Sequence, residues 1–170
     1  SDERTYKDGK ENGLFTEWYE NGQKKEEGTF KDWEYDGLIT RWYENGQKKQ
    51  EGVLNKEGKF SGISTFWYEN GQKQIEGTYK DGKVDGLWTS WYENGKKSFV
   101  KTYKDGKIDG LVTQWYENGQ KEIEGTFKDE KQNGLVTQWY ENGQKSYEGT
   151  FKDRKKISKK EWNEDGSVKE

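Results

Sequence analysis

The pentapeptide Trp-Tyr-Glu-Asn-Gly starts at Trp18, Trp42, Trp67, Trp91, Trp115 and Trp139. The starts lie 24, 25, 24, 24 and 24 residues apart, and a worn copy, Trp162-Asn163-Glu164-Asp165-Gly166, follows after 23 more. A fixed period of ~20–50 residues marks an array of one small unit, stable only because each unit covers its neighbour. Such an array has no single central core, so its function is sought in the surface that it repeats.

Composition alone would mislead. Hydrophobic residues are 26% and charged residues 37% of the chain, figures that suit a disordered segment. Nine Trp, eleven Tyr and seven Phe reverse that reading, because they recur in phase and large rings drive burial. The chain has no Cys, so it forms no disulfide and its redox compartment stays open. Its net charge of −3, from 30 basic and 33 acidic residues, gives no reason to expect a nucleic-acid partner. No run of ~18 apolar residues occurs. A cytoplasmic location is slightly preferred; an exported or surface-attached protein requires a leader removed before residue 1.

One unit reads Gly77-Thr78-Tyr79-Lys80-Asp81-Gly82-Lys83-Val84-Asp85-Gly86-Leu87-Trp88-Thr89-Ser90-Trp91-Tyr92-Glu93-Asn94-Gly95. Asn-Gly after the Trp-Tyr pair predicts a two-residue type I′ hairpin turn. The Asp-Gly pairs predict a second break. Between the breaks lie segments of about six to eight residues rich in Thr, aromatic and β-branched residues, which suit strands. Frequent Gly and the lack of a period near 3.6 argue against helix. Each unit is therefore one β-hairpin. The fold class expected is all-β, an elongated single-layer antiparallel β-meander of tandem 24-residue hairpins with twelve or more strands. Residues 1–170 form a single repeat domain, six regular repeats and a degenerate C-terminal capping repeat.

Alternation along the Trp strand separates two faces. One carries Leu38, Thr40 and Trp42 and their counterparts. The other carries Tyr and two changeable positions, the first holding Phe15, Ile39, Ser64, Trp88, Val112 and Val136 and the second Glu17, Arg41, Phe66, Ser90, Gln114 and Gln138. The neighbouring strand places a Gly before an aromatic residue (Phe30, Tyr79, Tyr103, Phe127, Phe151), leaving room for a ring over the backbone. A two-residue turn puts Tyr on the side of that Gly and a three-residue turn puts Trp there; the sequence leaves both open.

This pattern, with Glu-Gly-Thr-Tyr-Lys-Asp-Gly after the pentapeptide, resembles the MORN repeat over nearly the whole chain, about Thr5 to Gly166. It is most similar to the bacterial variant catalogued with the YwqK-type antitoxins. The resemblance implies a hairpin-per-repeat sheet, protein binding or dimerisation, less securely lipid contact, and for the bacterial variant an antitoxin or immunity role. Several stretches depart from the pattern: Val53-Leu54-Asn55-Lys56-Glu57-Gly58 with one inserted residue, Lys101 in place of Gly, and Trp33 and Tyr35 in a turn that is polar elsewhere. The basic run Lys152-Asp153-Arg154-Lys155-Lys156 reads as a polar cap.

Nucleophilic catalysis has no Cys and no His to support it. The Glu of the pentapeptide recurs six times at a turn, as a turn residue does and a catalytic acid need not. The Asp-Gly turns lack the close-set ligands of a calcium loop. The chain is thus expected to be no enzyme and to need no metal or cofactor. The leading reading is a non-catalytic module binding a protein, with a toxin as one candidate, and terminal strands open to pairing as a homodimer. The alternatives are a surface-associated carbohydrate- or lipid-headgroup-binding repeat protein, membrane contact not being favoured, and a structural spacer. A scaffold repeats its residues and a binding site varies them. The candidate partner-binding residues are therefore Phe15, Trp33, Tyr35, Arg41, Phe66, Trp88 and Phe99.

Overall fold

The computed structural model describes residues 1–152 and 155–169. Fourteen strands and no helix occur among the described residues. The chain divides into two units, Ser1–Lys83 and Val84–Glu170. In the first, β1 (Asp2–Lys7), β2 (Lys10–Trp18), β3 (Lys24–Lys31), β4 (Glu34–Trp42), β5 (Lys48–Leu54), β6 (Phe60–Trp67) and β7 (Lys73–Lys80) pair antiparallel in chain order. The second holds β8 (Lys83–Trp91), β9 (Lys97–Lys104), β10 (Lys107–Trp115), β11 (Lys121–Lys128), β12 (Lys131–Trp139), β13 (Lys145–Lys152) and β14 (Lys155–Glu161), also paired in chain order. The expected hairpin meander is thus present in each unit.

The turn chemistry is the reverse of the expectation. Asn-Gly is not a type I′ turn, because Asn21 and its counterparts do not have positive φ. Tyr19 N donates to Gln23 O at 2.9 Å and Gly22 N to Tyr19 O at 3.0 Å, which closes a three-residue loop with Gly22 alone at φ +82°. The next pairs are Trp18 with Lys24 and Glu17 with Glu26, so Lys25 is bulged out. That bulge restores the register a two-residue turn would have given. Phe15 therefore faces Gly28, and the changeable positions share a side with the Gly row. The two positive φ angles of a type I′ turn belong to Asp8-Gly9 (+51°, +78°), between the paired Lys7 and Lys10. The residue inserted at Asn55–Lys59 turns one such two-residue link into another three-residue loop, with Asn55 N bonded to Lys59 O at 2.8 Å.

Each core lies on the face of the first changeable position. In the N-terminal unit Phe15, Ile39 and Leu54 are buried, with Phe30, Tyr35 and Phe60 packed on them. A Cβ on Gly28 would stand 2.8 Å from Ile39 Cδ1 and 2.9 Å from Phe15 Cε1, so only Gly lets these side chains lie over the backbone. In the C-terminal unit Val112 and Val136 are buried, and Val136 Cγ2 closes on Gly125 in the same way.

Candidate functional site

The invariant residues are occupied in joining one repeat to the next. Tyr19 Oη donates to Trp42 O at 2.7 Å and Tyr43 Oη to Trp67 O at 2.8 Å. In the C-terminal unit Tyr92, Tyr116 and Tyr140 donate likewise to the carbonyls of Trp115, Trp139 and Trp162. Asn21 closes its own turn by accepting from Gln23 N at 3.0 Å and reaches the next repeat by donating Nδ2 to Glu44 O at 2.8 Å. Burial, aided by neighbouring carboxylates, pushes the hydroxyls of Tyr43, Tyr92 and Tyr116 up in pKa. The Trp row is half-buried rather than a free platform. Lys24 Nζ stands 5.6 Å from the Trp42 ring and Lys48 Nζ 5.8 Å from Trp67. Lys48 is at the same time paired to Glu51 at 2.5 Å, so the cation is fixed by a carboxylate as well as by the ring.

The candidate binding residues separate into different environments. Phe15 is 3% exposed and belongs to the core, so it offers no ring to a partner. Ile39, Ser64, Val112 and Val136 at the same changeable position are buried as well, so variation there does not by itself mark an exposed surface. Tyr35 is half-buried against Phe30, ring centroids 4.6 Å apart, and donates Oη to Glu26 at 3.2 Å. Arg41 binds Glu26 through Nε at 3.0 Å and Gln50 through Nη1 at 3.1 Å. The Glu26 bond holds Arg41 more firmly protonated, and burial followed by the charge of Glu26 raises the Tyr35 pKa. Glu17 and Glu26 are direct cross-strand partners, a like-charge pair relieved by Arg4 on one side and Arg41 on the other. Phe66 meets Phe60 edge-on at 6.1 Å. Trp88 meets Tyr103 at 6.2 Å, and Phe99 lies 4.3 Å from Lys101 Nζ. These three are half-buried on the core side. Trp33 alone of the seven is well exposed, at a turn tip beside Tyr6. Asp153 and Arg154 of the basic run lie outside the described residues; Lys155 and Lys156 are exposed on β14.

The most regular exposed feature lies at a near-invariant position rather than a variable one. Leu14, Leu38 and Ile63 in the first unit and Leu87, Leu111 and Leu135 in the second are all 52–65% exposed. Each stands opposite Thr or Val on the next strand: Leu38 opposite Val53, Leu111 opposite Thr126. Each unit therefore carries an aliphatic row on the face away from its core. The sequence carries this signal as an apolar residue kept in every repeat, but repetition alone does not distinguish a packed position from an exposed one. Among the described residues no cluster of three or more acidic side chains is arranged to hold a metal ion.

No curated protein matches the chain. The pattern of the MORN repeat variant matches residues 11–32, 35–56, 60–81, 84–105, 108–129 and 132–153, six consecutive copies in phase with the Tyr-to-Trp hydrogen bonds. With more than half of its length covered by these repeats, the chain belongs to the MORN repeat variant family.

Proposed function

We propose that the chain is a non-catalytic binding module that receives a protein partner on its aliphatic rows, Leu14–Leu38–Ile63 in one unit and Leu87–Leu111–Leu135 in the other. The observation that carries this reading is the persistence of an exposed aliphatic side chain in every repeat. The Tyr, Asn and Trp of each repeat have a structural task on this account and the Leu has none comparable, since more than half of it meets water. The exposed aliphatic side chains fall on every second strand in register, alternating with Thr or Val, and so form a regular row rather than a random scatter. Threonine and Lys–Glu pairs border the rows, giving the polar rim of an ordinary interface. The likeness to the YwqK-type antitoxins makes a toxin the first partner to test. Arg41, Phe66, Trp88 and Phe99 on the core side are the alternative surface, against which the rows are tested.

The test is cross-linking in the source cell, identification of the bound protein, and affinity measurement with both components purified. Leu38→Thr with Leu111→Thr should weaken binding strongly while the circular dichroism stays unchanged. Undiminished affinity in that double variant, with loss in Phe66→Ala, would move the site to the other face.

A further inference from the structure

One exposed feature of the N-terminal unit lies apart from the aliphatic row. The turn between β3 and β4 reads Asp32-Trp33 where three sister turns read Asp-Gly, yet it keeps their conformation, with φ of +52° and +73°. An indole at positive φ is strained, and the main chain is held there by Trp33 N donating to Glu11 O at 3.1 Å. Glu130 shows that the fold accepts another side chain at this place, at φ +63°. Glu130 is exposed as well; what sets Trp33 apart is that the side chain left 52% exposed at this strained place is a large apolar ring. The ring is directed at Tyr6, centroids 6.1 Å apart and planes at 72°. Tyr6 is itself 54% exposed, whereas Phe30, Tyr79, Tyr103, Phe127 and Phe151 at the equivalent position are half-buried. Two rings in an edge-on arrangement thus stand open at neighbouring hairpin tips.

The polar groups around them select the ligand. Lys7, Lys10 and Lys31 balance Asp8, Asp32 and Glu34 on the two turns, so the site favours neither a cation nor an anion. Lys10 Nζ and Asp32 Oδ1 are 3.9 Å apart and both side chains are more than half exposed, giving a donor and an acceptor side by side next to the rings. A neutral ligand with an apolar face and hydroxyls at its rim meets both demands: its C–H face stacks on the indole while hydroxyls donate to Asp32 and accept from Lys10. We propose that Trp33 and Tyr6, with Lys10 and Asp32, form a stacking site for a neutral carbohydrate. The site is independent of the protein-docking rows.

The test is calorimetric titration of the full chain with cellohexaose, chitohexaose and maltohexaose, alongside Trp33→Gly and Trp33→Phe. At least one hexaose should bind. Trp33→Gly should lose about tenfold or more in affinity, the effect of removing one stacked ring. It should also show a higher urea midpoint, because Gly fits the turn without strain. Trp33→Phe should keep most of the binding. Absence of binding by every hexaose at millimolar concentration would overturn the proposal, as would wild-type affinity in Trp33→Gly. A lower midpoint in Trp33→Gly would also overturn it, by showing that the ring serves the fold. None of these results bears on the aliphatic rows, whose variants are separate.

Discussion

The hydroxyl of Tyr43 donates to the carbonyl of Trp67, one repeat along the chain, at 2.8 Å. The bond fastens one Trp-Tyr-Glu-Asn-Gly turn to the next, and Asn45 Nδ2 adds a second fastening to Glu69 O at 3.0 Å. In a protein without a central core, stability is a sum of such nearest-neighbour couplings.

Tyr43→Phe should therefore lower stability by about 1–2 kcal/mol, since it removes one hydrogen bond and leaves a partly buried carbonyl unpaired. Glu44→Gln, on the exposed tip of the same turn, should change it by less than about 0.5 kcal/mol. Urea denaturation of both variants checks the contrast.

The same tyrosines set an alkaline limit. Burial raises Tyr43, Tyr92 and Tyr116 above the ordinary value of 10.0. The folded chain thus holds these protons more tightly than the unfolded chain. Their contribution is complete below the unfolded value and is lost as pH rises through the folded values. The urea midpoint should be level up to about pH 9 and fall beyond about pH 10, and less steeply in Tyr43→Phe.

Ser64 occupies the core position of its repeat, with its hydroxyl wholly buried and unpartnered. Ser64→Ala should stabilise by about 1 kcal/mol through removal of an unsatisfied group. Gly52→Ala should destabilise by about 1–3 kcal/mol, because its Cβ would meet Ser64 Cβ at 3.0 Å and Phe60 Cδ1 at 3.1 Å. Thermal melts of the two variants should move in opposite directions.

The period, the hairpins and the glycine beneath a ring were legible in the sequence, because each is a local pattern with one physical solution. The turn types were not. The rule that assigns type I′ to Asn-Gly takes no account of an Asn side chain that accepts from Gln23 N within its own turn and donates to Glu44 O, and the second of these bonds needs the neighbouring repeat in place. Alternation separated Leu14 from Phe15 but could not say which of them faces inward. That choice is made by the Lys25 bulge and by the bulge at Gly13, where φ is +117° beside Thr5. Phe15, expected at a partner surface, is consequently core, and Phe15→Ala should cost about 3–5 kcal/mol where Leu38→Thr costs less than about 0.5.

The central claim is that the rows of exposed aliphatic residues, and not the variable positions on the core side, receive the partner. The most direct measurement is the affinity of the purified partner for Leu38→Thr with Leu111→Thr, set against Phe66→Ala. The account predicts a loss of about tenfold or more for the double Leu variant, the equivalent of about 1.4 kcal/mol, and near-wild-type affinity for Phe66→Ala. Full affinity in the Leu variant would contradict it.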